Sequence, residues 1–222
     1  MEELFKKLNL NPKNKEIYNQ AFIHTSYAYE HKLKDSYETL EFLGDAIVDL
    51  AISDYLYRKG NFPEGKMTKI RASYVCENAL SEFANDLNFS SFIKLGNGEQ
   101  TNGGAHKKAI LADVFESFIA AIYLDLGFEK AKETVLKIIV PYIEDENKSF
   151  FLDYKSQLQE TVQDMQKQVN YVLLKESGPS HNKNFQMSVK IDEITYGIGT
   201  GHTKKEAEQE AAKSALKKLA KK

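Results

Sequence analysis

Acidic side chains fall at helical spacing in two separate stretches of the chain. In Glu38-Thr39-Leu40-Glu41-Phe42-Leu43-Gly44-Asp45, a rotation of about 100° per residue puts Glu41 and Asp45 within roughly 60° of Glu38 around the axis. Three carboxylates therefore share one stripe, and Asp49 continues it, while Leu40, Leu43, Ile47 and Val48 take other angles and supply a buried side. Like charges so placed repel by a few tenths of a kcal/mol per pair even on an exposed helix, and a divalent cation is the natural countercharge.

A second stretch, Ile110 to Tyr123, is apolar almost all round except for Asp113 and Glu116, three residues apart on one face. A helix this apolar is buried, and carboxylates on it cost several kcal/mol unless paired or metal-bound. No Lys or Arg stands between Ala109 and Leu126 to pair with them. If the two acidic faces meet, the result is an all-oxygen site suited to magnesium or manganese. Spacing alone leaves open that Glu38, Glu41 and Asp45 form a solvated face and that Asp113 and Glu116 pair with distant lysines. Gly44 favours a site: inside a helix it costs about 1 kcal/mol relative to Ala, which points to close approach of another backbone.

The elements that must position these residues read as all-helical over the first 140 or so positions. Pro12, Pro63 and Pro141 fall at expected breaks, and Gly96 through Gly104 at an expected loop. A linker is expected near residues 145–152, dividing a helical domain (1–147) from a second one (153–222) across positions 148–152. The second domain reads as a helix over Asp153 to Gln168, then alternating strands at Val169-Tyr171-Leu173, Phe185-Met187-Val189-Ile191 and Ile194-Tyr196-Ile198, with a turn at Asp192-Glu193. A final helix carries Ala207, Ala211, Ala215 and Leu219 at four-residue spacing. The order is α-β-β-β-α.

The 222 residues suffice for one or two cores. No apolar run reaches the roughly 18 residues that span a bilayer, and the first residues lack the apolar stretch of a secretory signal. Cys76 is the only cysteine, which excludes an intrachain disulfide and cysteine-based zinc motifs. A cytoplasmic address with no membrane partner is the expectation. The net charge of −2 hides an asymmetry: residues 1–152 hold 18 basic and 23 acidic side chains, residues 153–222 hold 12 and 9. Only Arg58 and Arg71 are arginine, so lysine contacts to phosphates are expected rather than bidentate readout of bases.

The string Leu40-Glu41-Phe42-Leu43-Gly44-Asp45-Ala46 resembles the signature motif of the ribonuclease III family. Ala21 to Tyr27 resembles the family's N-terminal motif, Pro63-Glu64-Gly65-Lys66 with Arg71-Ala72 the segment that follows, and Ile110 to Tyr123 its second catalytic helix. The C-terminal α-β-β-β-α order, with Gly178-Pro179-Ser180-His181 between two strands and Thr203-Lys204-Lys205-Glu206 opening the last helix, resembles a double-stranded RNA-binding domain. The resemblance spans nearly the whole chain. It implies an all-α endonuclease domain followed by a small α+β RNA-binding domain.

What the resemblance implies for the site follows residue by residue. Glu41, Asp45, Asp113 and Glu116 match the metal-binding carboxylates, with Asp45 and Glu116 central to catalysis. Glu38 and Glu64 match accessory acidic positions, and Asp49 is expected to be an ordinary solvated or paired acid. His24 is read as a packing or capping histidine, because divalent ions already activate water near neutral pH. Gln159, Glu160 and His181 match groove-contacting positions, and Lys204 and Lys205 match phosphate-contacting ones. At a helix N-terminus two lysines oppose the helix dipole, an arrangement that makes sense if a phosphate approaches. Glu208 departs from the pattern, where many such domains carry a third lysine, and weaker, more salt-sensitive binding is expected from it.

The implied activity is magnesium-dependent hydrolysis of double-stranded RNA, with manganese as a substitute and no small-molecule cofactor. A homodimer would cut both strands, leaving 5′ phosphates, 3′ hydroxyls and two-nucleotide 3′ overhangs, in the processing of rRNA precursors, tRNA and structured mRNA. Phe42 and Leu43 fit either the dimer interface or the core. The alternatives are a non-cleaving RNA-binding regulator on the same fold and a dimerisation scaffold holding structural calcium.

Overall fold

A computed structural model describes residues 1–60, 62–145, 150, 154–179 and 183–220. The chain forms two units, Met1–Phe151 and Leu152–Lys222. Among the described residues no helix is long and apolar enough to cross a membrane.

The first unit is helical: α1 (Glu2–Leu8), α2 (Lys15–Gln20), α3 (Thr25–Glu30), α4 (Glu38–Lys59), α5 (Glu64–Tyr74), α6 (Glu77–Asp86), α7 (Asn97–Thr101), α8 (Lys108–Leu126) and α9 (Phe128–Glu144). Its centre is α8. Val114, Phe115, Phe118, Ile119, Ala120, Ala121 and Ile122 are fully buried there, each larger side chain contributing about 1.5–3 kcal/mol by burial. Around it Tyr18, Phe22, Phe83, Phe89, Phe115 and Phe118 pack mostly edge-on or tilted, the arrangement that ring quadrupoles favour. The long helix α4 lies against α8 with Leu40, Ile47, Val48, Ala51 and Ile52 buried.

Three expectations are corrected here. Pro141 does not end a helix but sits in the last turn of α9. Tyr142 and Glu144 hold the chain beyond it: the Tyr142 carbonyl accepts from the Tyr74 hydroxyl at 2.9 Å, its own hydroxyl donates to Asp86, and Glu144 pairs with Lys59 at 3.0 Å. The glycine-rich segment 96–104 is not a plain loop. It contains α7 and a 3-10 turn at Gly104–His106, tied down by Asn97 N–H donating to Glu30 at 2.9 Å and by a Lys107–Glu99 ion pair at 2.5 Å. Phe150, inside the stretch read as linker, packs its ring against Tyr74, Phe83 and Tyr142.

The second unit runs α10 (Tyr154–Asp164), β1 (Val169–Ser177), β2 (Asn184–Ile191), β3 (Ile194–Gly201) and α11 (Lys204–Leu219). The helix α10 stops short of the Gln168 read from sequence, since Gln166 takes φ 57°. The strands form an antiparallel sheet in the order β1-β2-β3. Asp192 and Glu193 make the β2–β3 turn with φ of 46° and 66°, the left-handed pair that matches the twist of a two-residue hairpin. Leu158 and Val162 of α10, Val189 and Ile191 of β2, and Ala211, Ala212 and Ala215 of α11 form the core. The last helix lies so close to β3 that a Cβ on Gly197 or Gly199 would stand 2.2 Å from the backbone of Ala211.

Candidate active site

The acidic stripes of α4 and α8 meet where Gly44 touches Glu116. A Cβ on Gly44 would stand 2.0 Å from the Glu116 carbonyl oxygen and 2.4 Å from its carbon. Both obstacles are backbone, so no side-chain movement relieves the clash. The cost of a mid-helix glycine is thus offset by an approach that no other residue permits. Glu41 and Asp45, three residues before and one after Gly44, flank the contact, and Asp113 enters from the preceding turn of α8.

The electrostatics record how close these groups are. Burial pushes the Glu116 carboxyl up to about 8, helped by the negative charges of Asp45, Glu41, Asp113 and Asp49 in that order. Glu41 is raised by burial and then by Asp113, Glu38 and Asp45. Asp113 is also raised by burial, against the opposing pull of the Tyr37 hydroxyl, which donates to its Oδ2 at 3.0 Å, and of His24. The groups that act most strongly on Glu116 are all acidic. Among the described residues no three acidic or histidine side chains form a closed metal-binding set on their own. The fit to a cation rests on the donor chemistry, carboxylate oxygens that suit a hard divalent ion, and on repulsion that only added positive charge relieves.

The structure brings together Glu38, Glu41, Asp45, Asp113 and Glu116, and it does not bring Glu64 to them. Glu64 opens α5, accepts from Thr68 Oγ1 at 3.0 Å, and lines a cavity of about 240 Å³ with Ser53, Leu56, Tyr57, Met67 and Arg71. His24 is a capping residue: its Nδ1 accepts from the Ser26 amide at 3.1 Å at the start of α3. Asp49 departs from its reading as a solvated or paired acid. Its Oδ1 is buried with no hydrogen-bond partner among the described residues, and its charge adds to the load on Glu116. Its place on the charge stripe was the signal for this. Tyr37 was missed, because nothing local in the sequence links it to Asp113, 76 positions away.

In the second unit Gln159 and Glu160 are exposed on α10, and Lys204 and Lys205 are exposed in the first turn of α11. Thr203 caps the helix there, its Oγ1 accepting from Glu206 N–H at 3.1 Å, and the Glu206 carboxylate reaches back to accept from His202 N–H at 2.9 Å. His181 lies outside the described residues. Glu208 is more than a missing lysine. It pairs with Lys155 at 2.5 Å, and Lys155 N–H donates to Gln209 Oε1 at 3.1 Å, so the two helices are joined at this point.

Comparison with known proteins bears on both units. The family described as ribonuclease-III-like matches residues 14–143, and the double-stranded RNA binding motif matches residues 154–219. A protein of Oceanobacillus iheyensis called Ribonuclease 3 is 50% identical over 214 residues, covering 94% of this chain and 93% of that protein. One of the same name from Bacillus cereus is 46% identical over 217 residues, covering 96% and 89%. The nuclease domain of ribonuclease III from Campylobacter jejuni superposes with a TM-score of 0.60 at 38% identity, covering 65% of this chain and 97% of that one. A second structure of that domain, described as flexible in a region involved in dimer formation, gives 0.59 at 39%, covering 63% and 96%.

Proposed function

Since the chain belongs to the ribonuclease III family and is an endoribonuclease of double-stranded RNA, we propose that it cuts with the carboxylates gathered at the Gly44–Glu116 contact, using divalent metal. The observation that carries this reading is Glu116, held against the backbone of α4 among Glu41, Asp45 and Asp113, where the groups that act most strongly on its carboxyl are all acidic. Asp45 and Glu116 are the central pair. Glu41 and Asp113 complete the ligand set and Glu38 adds charge at its rim. Magnesium, or manganese in its place, would be held by Glu41, Asp45, Asp113 and Glu116 and would supply Lewis-acid activation of water and positive charge for the phosphoryl and leaving 3′ oxygens. The protein's part is to hold oxygen donors at fixed positions on two rigid helices.

A homodimer accounts for what the single chain leaves exposed. Phe42, Leu50 and Tyr57 lie along one side of α4 and are 84%, 55% and 77% exposed. Phe42 and the cavity beside Tyr57 are separated by about 22 Å along the helix at 1.5 Å per residue. A two-fold axis between them would seat Phe42 of each copy in the cavity of the other, an isologous contact. That arrangement also gives Glu64 its accessory place. Lining the cavity, it would stand beside the Phe42-bearing turn of the other copy, next to that copy's Glu41. Two sites would then cut the two strands, with Gln159, Glu160, His181, Lys204 and Lys205 holding the duplex through its grooves and phosphates. The substrates we favour are rRNA precursors and structured mRNA, processed in the cytoplasm.

The test is digestion of a long RNA duplex in magnesium with analysis of product ends. Short duplexes with 5′ phosphates, 3′ hydroxyls and two-nucleotide 3′ overhangs are expected. Nicks confined to one strand would contradict the two-site reading, and products ending in cyclic phosphate would contradict hydrolysis by an activated water.

A further inference from the structure

Resting on the reading of Asp113 as a metal ligand, we infer that Tyr37 is a positioning residue that sets the orientation of Asp113. Tyr37 is 4% exposed and is fixed to three parts of the nuclease unit. Its amide donates to the Ile23 carbonyl at 2.9 Å, its carbonyl accepts from Ser117 Oγ at 3.2 Å, and its hydroxyl donates to Asp113 Oδ2 at 3.0 Å. The His24 ring packs edge-on against it at 5.6 Å. With the backbone anchored and the ring buried against His24, the phenol is restrained from following Asp113 if that side chain rotates.

Asp113 needs such a hold. The carboxyls of Glu41 and Glu116 face it, and wherever they ionise with no cation between them repulsion favours a rotamer that swings the Asp113 carboxylate away. A fixed donor on Oδ2 opposes that rotation and leaves Oδ1 unengaged by the phenol. Outer partners of this kind fix the geometry of carboxylate ligands, and their loss costs about 10–100-fold in metal affinity or activity. The nuclease unit contains its own control: Tyr18 likewise donates its hydroxyl to a carboxylate, Asp125 Oδ2, at 3.0 Å, away from the acidic cluster.

The experiment is direct binding of manganese to the RNA-free full chain, read by electron paramagnetic resonance, for wild type, Tyr37→Phe, Tyr18→Phe and Asp113→Ala. Tyr37→Phe is expected to weaken binding about tenfold or more and to raise the magnesium concentration for half-maximal cleavage in step. Tyr18→Phe should leave both at the wild-type value even if both tyrosine variants melt earlier. Wild-type affinity in Tyr37→Phe, with binding lost in Asp113→Ala, would overturn the positioning role. Wild-type affinity in Asp113→Ala would instead overturn the ligand reading beneath it. Wild type alone provides a second measurement, should Tyr37→Phe fail to fold. The Tyr37 hydroxyl proton resonance should shift on adding magnesium while that of Tyr18 stays, and an unmoved Tyr37 resonance contradicts the inference.

Discussion

Replacing Glu116 by Gln should make the metal-free protein more stable. Its carboxyl is raised from 4.5 to about 8 in the folded chain, so between those values the folded state binds more protons than the unfolded one. Stability then falls as pH rises from about 4.5 and is lowest above about 8. At about 1.36 kcal/mol per unit, the ceiling at pH 7 is about 3 kcal/mol. Because the carboxylate is only partly buried and water screens it, about 1–2 kcal/mol is the working figure. For a unit of this size that is about 3–6 °C in Tm. The assay is thermal denaturation in a chelator at pH 5 and pH 8. Glu116→Gln should melt near wild type at pH 5 and several degrees above it at pH 8, with saturating magnesium closing the gap by stabilising wild type. Glu41 and Asp113 remain in the variant, so its pH slope should be reduced rather than abolished. Identical profiles for the two proteins would refute the claim that Glu116 is buried among uncompensated charges.

Other perturbations separate the parts of the account. Gly44→Ala should lower stability by about 1–3 kcal/mol through overpacking, despite the preference of helices for Ala, and calorimetry showing a more stable protein would remove the close-contact argument. Phe42→Glu should give monomers in sedimentation and abolish paired cutting of the two strands; a dimer that persists places the interface elsewhere. Lys204→Ala and Lys205→Ala should weaken duplex binding alike across sequences, each reducing the logarithmic salt slope by about one. An unchanged slope would make both lysines merely solvated.

Much of the site was legible because it is local. Glu38, Glu41 and Asp45 share a helix face by spacing alone, and Gly44 announced a close helix contact before the Glu116 backbone was seen against it. The three strands and the Asp192-Glu193 turn follow from two-residue alternation and its interruption. What escaped is non-local. Pro141 stays helical because Tyr74 and Lys59, distant in sequence, hold the residues after it. Glu208 looked like an absent lysine until Lys155 was found beside it. The unpaired oxygen of Asp49 and the Tyr37–Asp113 bond depend on how α4 packs on α8, which no spacing rule within either helix contains.

The central claim is that the carboxylates at the α4–α8 contact do the cutting. It is tested most directly by single-turnover cleavage of an end-labelled RNA duplex by wild type, Asp45→Asn and Glu116→Gln in magnesium, with duplex binding measured alongside. The account predicts that both variants bind the duplex as wild type does and leave it intact. Cleavage at the wild-type rate by either variant would contradict it.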